Sequence, residues 1–195
     1  MGNPAGLSLK EILVICLPCR LICRIDESTN QPINCPEYGC PKPMTKHLDP
    51  AMHTAEHLLN RTMVEMFGCG RAFSAHIEKK KSKCDYRFDR PLADAEIARI
   101  EAAVNAKIEA NLPVTEAFLD RKTAAAAFDL ARLPDAAGER IRIVSVGEYD
   151  ACPCIGPHVA FTGALGRFRI TTTDFADGVL RVRFKVDRSK AKGCA

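Results

Sequence analysis

The segment DPAMHTAEHLLNRTMVEMF, Asp49 to Phe67, decides most of what the sequence predicts. Asp49 followed by Pro50 is typical of a helix start, because aspartate caps the first turn and proline is tolerated at the first helical position. The apolar residues of the segment recur at helical spacing and form one stripe: Met52, Ala55, Leu59, Met63, Met66 and Phe67. Gly68 and Gly70 end the pattern, since glycine favours helix C-termini. The segment therefore predicts one amphipathic helix.

The same helix carries two histidines four positions apart, His53 and His57. This spacing places both on one helical face, where they can chelate a single metal ion. The motif is not the H-E-x-x-H of thermolysin-like metalloproteases, because Glu56 directly precedes the second histidine. Glu56 could assist as a base, but it points about 100° away from His57 around the helix. We therefore expect Glu56 to be a surface charge.

A second pair of candidate ligands follows much later, in Cys154-Ile-Gly-Pro-His158. Gly156 and Pro157 allow a tight turn that would bring the thiol and the imidazole to one point. Three histidines and one cysteine form a ligand set that suits Zn²⁺. Four protein ligands also fit a closed, purely structural site. The spacing therefore predicts one zinc ion and leaves open whether it is catalytic or structural.

The rest of the chain combines helical and strand patterns. These predict, in chain order, a strand pair over 71–77 and 84–88, helices over 94–111 and 121–130, and a strand over 141–146. Asp177-Gly178 then predicts a hairpin turn between two alternating strands. Strands joined mostly by hairpins, with helices between them, predict an α+β fold with a largely antiparallel sheet.

Length and composition restrict the function classes. The chain has 195 residues, a formal net charge of +4 and 10 cysteines. This length fits one domain with a short appendage and is too short for a multidomain synthetase, polymerase or motor. The mild positive charge permits a nucleic-acid partner without requiring one. No run approaches the roughly 20 apolar residues that span a bilayer, so we expect no membrane partner. The chain exceeds the size of small secreted domains that rely on disulfides, and its cysteines are unevenly placed, so we expect a reduced, cytoplasmic protein.

The first 43 residues differ from the rest, because they are rich in cysteine and proline. Paired thiols with short spacing are a zinc pattern, and the candidate knuckle residues are Cys16, Cys19, Cys35 and Cys40. Alternatively, this segment is an extraneous or weakly ordered extension, with Met44 as the true start. We expect residues 44–187 to form the working domain and residues 188–195 to form a flexible tail.

The paired motifs resemble those of the alanyl-tRNA synthetase editing domain and its freestanding AlaX-type relatives. The similarity runs in order from Met44 to Val186 and includes Tyr86 to Asp89, Asn111 to Val114, Arg142 to Gly147, Tyr149 to Cys154, and Thr162 to Ile170. The editing domain of threonyl-tRNA synthetase shares the ligand pattern. Cys154-Ile-Gly-Pro-His158 is closer to its usual C-x-G-P-H than to the alanyl C-G-G-T-H, which leaves the cognate tRNA open.

The resemblance implies a zinc-dependent hydrolase that deacylates mischarged tRNA in trans. Its ligands for one Zn²⁺ would be His53, His57, Cys154 and His158. Ser-tRNA(Ala) is the first expected substrate, with Gly-tRNA(Ala) next and Ser-tRNA(Thr) as the alternative. Other classes remain open: a non-catalytic tRNA-binding module with structural zinc, or a metal-dependent hydrolase of a small ester. The sequence does not determine the oligomeric state.

The resemblance also suggests which residues meet the substrate. By alignment with the family hairpin, Ser74 and His76 are expected to contact it. The tRNA acceptor end is expected to meet a basic turn made of Lys79, Lys80, Lys81 and Lys83. Further candidate phosphate contacts lie on the two arms of the last hairpin: Arg167, Arg169, Arg181 and Arg183.

Overall fold

The computed structural model describes residues 12–16, 21–25, 48–130, 133 and 138–191. The chain divides into two compact units, Met1–Lys46 and His47–Ala195. In the first unit, β1 (Ile12–Cys16) and β2 (Leu21–Ile25) form an antiparallel hairpin. Most of the candidate zinc knuckle lies outside the described residues. The knuckle, the boundary at residue 43 and the flexible tail therefore stay predictions.

In the second unit, the described residues form three α-helices and two antiparallel sheets. The helices are α1 (Pro50–Phe67), α2 (Asp94–Glu109) and α3 (Arg121–Ala127). The strands are β3 (Ser74–His76), β4 (Ser82–Arg87), β5 (Val114–Asp120), β6 (Arg140–Val146), β7 (Asp150–Pro153), β8 (Arg167–Ala176) and β9 (Val179–Asp187). The larger sheet has the order β3-β4-β9-β8 and the smaller one β5-β6-β7. This architecture confirms the predicted α+β class.

Helix α1 begins and ends where the sequence predicts. The Asp49 carboxylate accepts a hydrogen bond from the Met52 amide at 3.1 Å, and Gly68 closes the helix in the left-handed conformation. The helix is not one-sided, however, since every residue from Ala51 to Asn60 is buried. It contacts α2, β9 of the larger sheet and β7 of the smaller one. The histidine-bearing turns therefore lie inside the unit.

The main core lies between the larger sheet and helices α1 and α2. Alternate residues of the strands point toward the helices and are fully buried, among them Tyr86, Phe168, Leu180, Val182 and Phe184. Because side chains alternate along a strand, the residues between them face away from the helices. A smaller core under α3 contains Ala124, Ile141 and Ile143. Within the described residues, no helix is both long and apolar enough to span a membrane.

The end of α2 is tied to the segment that follows the last candidate ligand. Asn111, in the left-handed region with φ 50°, accepts a hydrogen bond from the Gly163 amide at 3.0 Å through its side-chain oxygen. A Cβ at Gly163 would collide with that same oxygen. The Thr162 hydroxyl donates to the Lys107 carbonyl and accepts from the Leu112 amide, each at 2.8 Å. These bonds fix the chain just beyond His158.

Candidate metal centre

The structure brings together the four residues that the two sequence motifs supply. His53 and His57 project from consecutive turns of α1, whereas Cys154 and His158 follow β7. One ligand atom from each lies within 4.8 Å of the others. The Cys154 Sγ is 3.4 Å from His53 Nε2 and 3.3 Å from His158 Nε2. Tetrahedral zinc would hold sulfur and nitrogen ligands about 3.5 Å apart, so this arrangement can hold a metal ion.

The other ring nitrogen of each histidine contacts an acceptor outside the cluster. His53 Nδ1 lies 3.2 Å from the Pro157 carbonyl, and His57 Nδ1 lies 3.4 Å from an Asp150 carboxylate oxygen. His158 Nδ1 lies 3.1 Å from the Thr54 hydroxyl, which itself donates to the Pro50 carbonyl and so accepts from the ring. A proton on each Nδ1 satisfies these acceptors and leaves each Nε2 lone pair for a metal.

Asp150 connects His57 to a buried ion pair. Both Asp150 oxygens accept from the Arg71 guanidinium, at 2.6 and 3.0 Å, and the side chains of His57 and Asp150 are each only 2% exposed. Burial raises the pKa of Asp150, but the hydrogen bonds from His57 and Arg71 outweigh it and lower the pKa to about 2. Asp150 is therefore an anion at neutral pH, and it orients the His57 ring.

Burial and hydrogen bonding set the protonation state of each candidate ligand. Burial raises the pKa of the Cys154 thiol, yet the contacts of its sulfur with His158, His53 and His57 lower that pKa to about 3, so the thiolate form prevails at neutral pH. Burial lowers the pKa of His158, which keeps that imidazole neutral as a ligand must be. The pKa of His57 is raised despite burial, because Asp150 and Cys152 stabilise its charged form. A metal would therefore displace a proton from His57.

The loop that carries Cys154 is held against α1 by close contacts. Arg142 on β6 donates to the carbonyls of Cys154 and Gly156, at 3.1 and 2.8 Å, and also bonds Glu116. Gly156 packs on the ring of His53, where a Cβ would lie 2.5 Å from Nδ1 and still closer to Cε1. Only glycine permits this approach. The backbone between Cys154 and His158 therefore sets the distance between this loop and His53.

Substituting Gly156 with alanine is expected to lower zinc affinity about 10- to 100-fold, comparable to the loss of an outer contact of a metal site. The added methyl must push either the loop or the His53 ring out of register. Competition with a chromophoric zinc chelator measures the effect. Gly70→Ala is the matched control, because nothing lies within 4 Å of a Cβ there. Equal zinc affinity for both variants would contradict this account of the loop.

Cys152 belongs to a neighbouring group rather than to the four-ligand cluster. Its Sγ lies 3.5 Å from His57 Nδ1, and together with Asp150 these residues form a second set of potential ligands. The Asp150 oxygens are already engaged by Arg71. This second group therefore supports His57 and is a poor candidate for a separate metal site.

The expectation that Glu56 is a surface charge is wrong. Its side chain is buried, and its Oε1 lies 2.5 Å from the Asn60 amide nitrogen. Asn60 in turn accepts a hydrogen bond from the Ala72 amide. The prediction failed because it assumed a helix with one solvent face, whereas α1 is covered on several sides. Glu56 thus links the helix to the start of the larger sheet and lies outside the four-ligand cluster.

The other predicted contact residues lie on or beside the β3–β4 hairpin. Ser74 and His76 are on β3, and His76 Nε2 lies 2.7 Å from a Glu78 oxygen. Neither residue belongs to the metal-ligand cluster. The three lysines from Lys79 to Lys81 are exposed in the connecting turn, and Lys83 lies on β4 opposite Arg183. The structure places these side chains at the surface without assigning them a ligand.

Four supporting residues were not singled out from the sequence: Thr54, Arg71, Arg142 and Asp150. Arg71 and Asp150 are 79 positions apart, and Thr54 and His158 are 104 apart. No local pattern relates such partners, so only the folded chain reveals them.

Comparison with known proteins agrees with this geometry. Residues 141–192 match the family model described as the threonyl and alanyl tRNA synthetase second additional domain. The alanine–tRNA ligase of Francisella tularensis subsp. mediasiatica (strain FSC147) is 31% identical over 134 residues, which are 68% of this chain and 16% of the ligase. That of Francisella philomiragia subsp. philomiragia is 30% identical over the same length. The chain thus spans about a sixth of the length of these relatives. Both matches support a relationship of this chain to the editing-domain superfamily of the two synthetases.

Proposed function

From this relationship to the second additional domain of threonyl and alanyl tRNA synthetases, we propose that the chain is a zinc-dependent aminoacyl-tRNA deacylase. The observation that carries the proposal is the convergence of His53, His57, Cys154 and His158, with ligand atoms within 4.8 Å of one another. The reaction is hydrolysis of the ester between a wrong amino acid and the tRNA 3′ end. We place it in the cytoplasm and in trans, as in AlaX-type proteins.

In this proposal the four residues hold one Zn²⁺, which would polarise the ester carbonyl, orient the amino group or activate water. The chain's own residues prepare the site for it. Asp150 and Thr54 keep the imidazoles in the tautomer that presents Nε2, and the Cys154 thiolate supplies the negative charge. Ser74 and His76 are proposed substrate contacts, and the turn from Lys79 to Lys83 is a proposed contact of the acceptor end. Glu56 stays a proposed candidate for the base, and its Oε1 accepts a hydrogen bond from Asn60.

The proposed substrate is Ser-tRNA(Ala), followed by Gly-tRNA(Ala). Ser-tRNA(Thr) is the alternative, because Cys154-Ile-Gly-Pro-His158 resembles the threonyl motif whereas the two Francisella ligases are alanyl. The test is a deacylation panel over these three species and Ala-tRNA(Ala). It uses the chain alone without added synthetase, before and after chelation, and with zinc restored. We expect serine release that stops with chelator, returns with zinc and spares Ala-tRNA(Ala).

The panel also separates the two rival classes. A non-catalytic module with structural zinc would bind tRNA without turnover and would unfold when chelated, because structural zinc contributes folding energy. A hydrolase of a small ester would cleave serine methyl ester and show no affinity for tRNA. Full zinc content without deacylation of any panel member would remove the proposed function.

A further inference from the structure

The face of the larger sheet that points away from α1 and α2 carries a dense set of charges. Its cationic members are Lys83, Arg87, Arg167, Arg169, Arg181, Arg183 and Lys185, and its anionic members are Asp85, Asp174 and Asp187. Their neighbours along each strand, such as Phe168 and Phe184, are fully buried against the helices. The chain as a whole carries a net charge of only +4. Positive charge is therefore concentrated on this face.

The strand register places like charges directly opposite each other. Arg169 on β8 pairs with Lys185 on β9, and Arg183 on β9 pairs with Lys83 on β4. Opposed like charges destabilise an antiparallel sheet, so packing does not explain these two pairs. They occupy consecutive outward positions of β9 and form one strip. We call these four residues the cationic strip.

Carboxylates pair with one member of the strip, Arg183, and with its neighbour Arg181. Arg181 makes a two-point ion pair with Asp85 at 2.7 and 2.8 Å, and Arg183 bonds Asp174. Within the part of the chain that the structure describes, Lys83, Arg169 and Lys185 form no ion pair with a carboxylate. Arg169 and Lys185 are also exposed. The strip therefore presents unpaired cations to solvent, and their mutual repulsion lowers the stability of the sheet.

The strip continues into the lysine turn. Ser82, the first residue of β4, pairs with Phe184, so Lys185 lies level with the turn that ends at Lys81. The pKa of Asp85 at the other border is lowered, chiefly by the hydrogen bond from Arg181 and further by the charges of Lys83 and Arg183. The positive potential thus extends from the turn across three strands.

We infer that the cationic strip is a docking surface for the sugar–phosphate backbone of tRNA, distinct from the metal centre. The partner follows from charge complementarity, because a row of fixed cations suits an array of phosphates, and the choice of tRNA rests on the proposed function. The strip would hold the body of the tRNA and continues from the acceptor-end contact proposed for the turn from Lys79 to Lys83. Binding there adds affinity without sequence selectivity.

The test compares two double variants that remove the same charge. Arg169→Gln/Lys185→Gln alters the strip, whereas Arg99→Gln/Lys122→Gln removes an exposed arginine and lysine elsewhere. Filter binding of uncharged tRNA is measured against salt. The strip variant should bind about 10-fold more weakly, and its log–log salt slope should fall by about 2, one for each lost phosphate contact. Its melting temperature should not fall, because a like-charge pair is relieved.

Three results of the binding measurements would overturn the inference. The first is equal affinity loss in both double variants. The second is wild-type tRNA affinity in the strip variant. The third is loss of binding to phosphatidylserine-containing vesicles with tRNA binding intact, which would assign the strip to a membrane surface. Wild-type deacylation, measured in parallel, separates this inference from the proposed function. If the strip variant deacylates tRNA with an unchanged KM, the strip is rejected and the proposed function stands. If the strip variant alone loses tRNA binding and the wild-type protein shows no deacylation, the strip is supported and the proposed function is rejected.

Discussion

Replacing His57 with alanine is expected to abolish deacylation of Ser-tRNA and to weaken zinc binding by at least about 100-fold. His57 supplies one of four clustered ligands, is almost fully buried, and is the ligand oriented by the Asp150–Arg71 pair. Its removal leaves three ligands and a cavity beside them. Metal analysis of the purified variant and single-turnover deacylation measure the two effects.

The control for zinc content is His76→Ala, because His76 is exposed and bonds only Glu78 among the described residues. That variant should retain wild-type zinc. Circular dichroism of both variants excludes loss of fold as the cause. A His57→Ala protein that keeps stoichiometric zinc and full turnover would remove His57 from the centre and, with it, the proposed ligand set.

Asp150→Asn is expected to be the most destabilising single polar change in the unit, by about 3 kcal/mol, which corresponds to a fall in melting temperature of roughly 10 °C. The substitution leaves the largely buried Arg71 guanidinium without its anion and removes the charge that holds His57. Thermal melts in chelator isolate this effect from metal binding. Asp174→Asn removes an exposed partner of Arg183 and should cost less than about 1 kcal/mol.

The Asp150 effect should depend on pH in one direction. Its pKa is about 2 in the folded protein and 3.8 in a free side chain. The carboxylate therefore contributes its full stabilisation above about pH 4 and loses it as the pH falls toward 2. The difference in melting temperature between wild type and Asp150→Asn should narrow over that range. A constant difference would assign the destabilisation to altered packing instead.

Sequence predicted the elements whose determinants are local. Helix α1 has its aspartate cap, its proline, its apolar stripe and its terminal glycine within a single segment, and its bounds follow from them. The turn at Asp177-Gly178 was equally self-contained, and Asp177 and Gly178 both adopt the positive φ that such a turn needs. The ligand motifs were also local, although their meeting depends on how β7 lies beside α1.

Elements without a local signal were missed or shifted. Strand β5 is an edge strand with mostly exposed residues, so it shows no alternation. Strand β4 begins at Ser82, two residues before the predicted start at Cys84. Ser82 is buried although it is polar, because its hydroxyl bonds the Glu78 backbone, so its burial gives no apolar signal in the sequence. Glu56 was misplaced because the number of neighbours around a helix is a property of the whole fold. The partners of the candidate ligands were hidden for the same reason.

The contact between Asn111 and Gly163 carries a consequence for how such sequences diverge. The amide of one residue bonds the side chain of the other, and no Cβ fits between them. A side chain at position 163 therefore requires the Asn111 side chain to move and its hydrogen bond to be lost, and replacement of Asn111 removes this constraint on glycine. The two positions should change together among descendants of a common ancestor. Their joint substitution would mark lineages in which the segment that follows His158 is held to the end of α2 by other contacts.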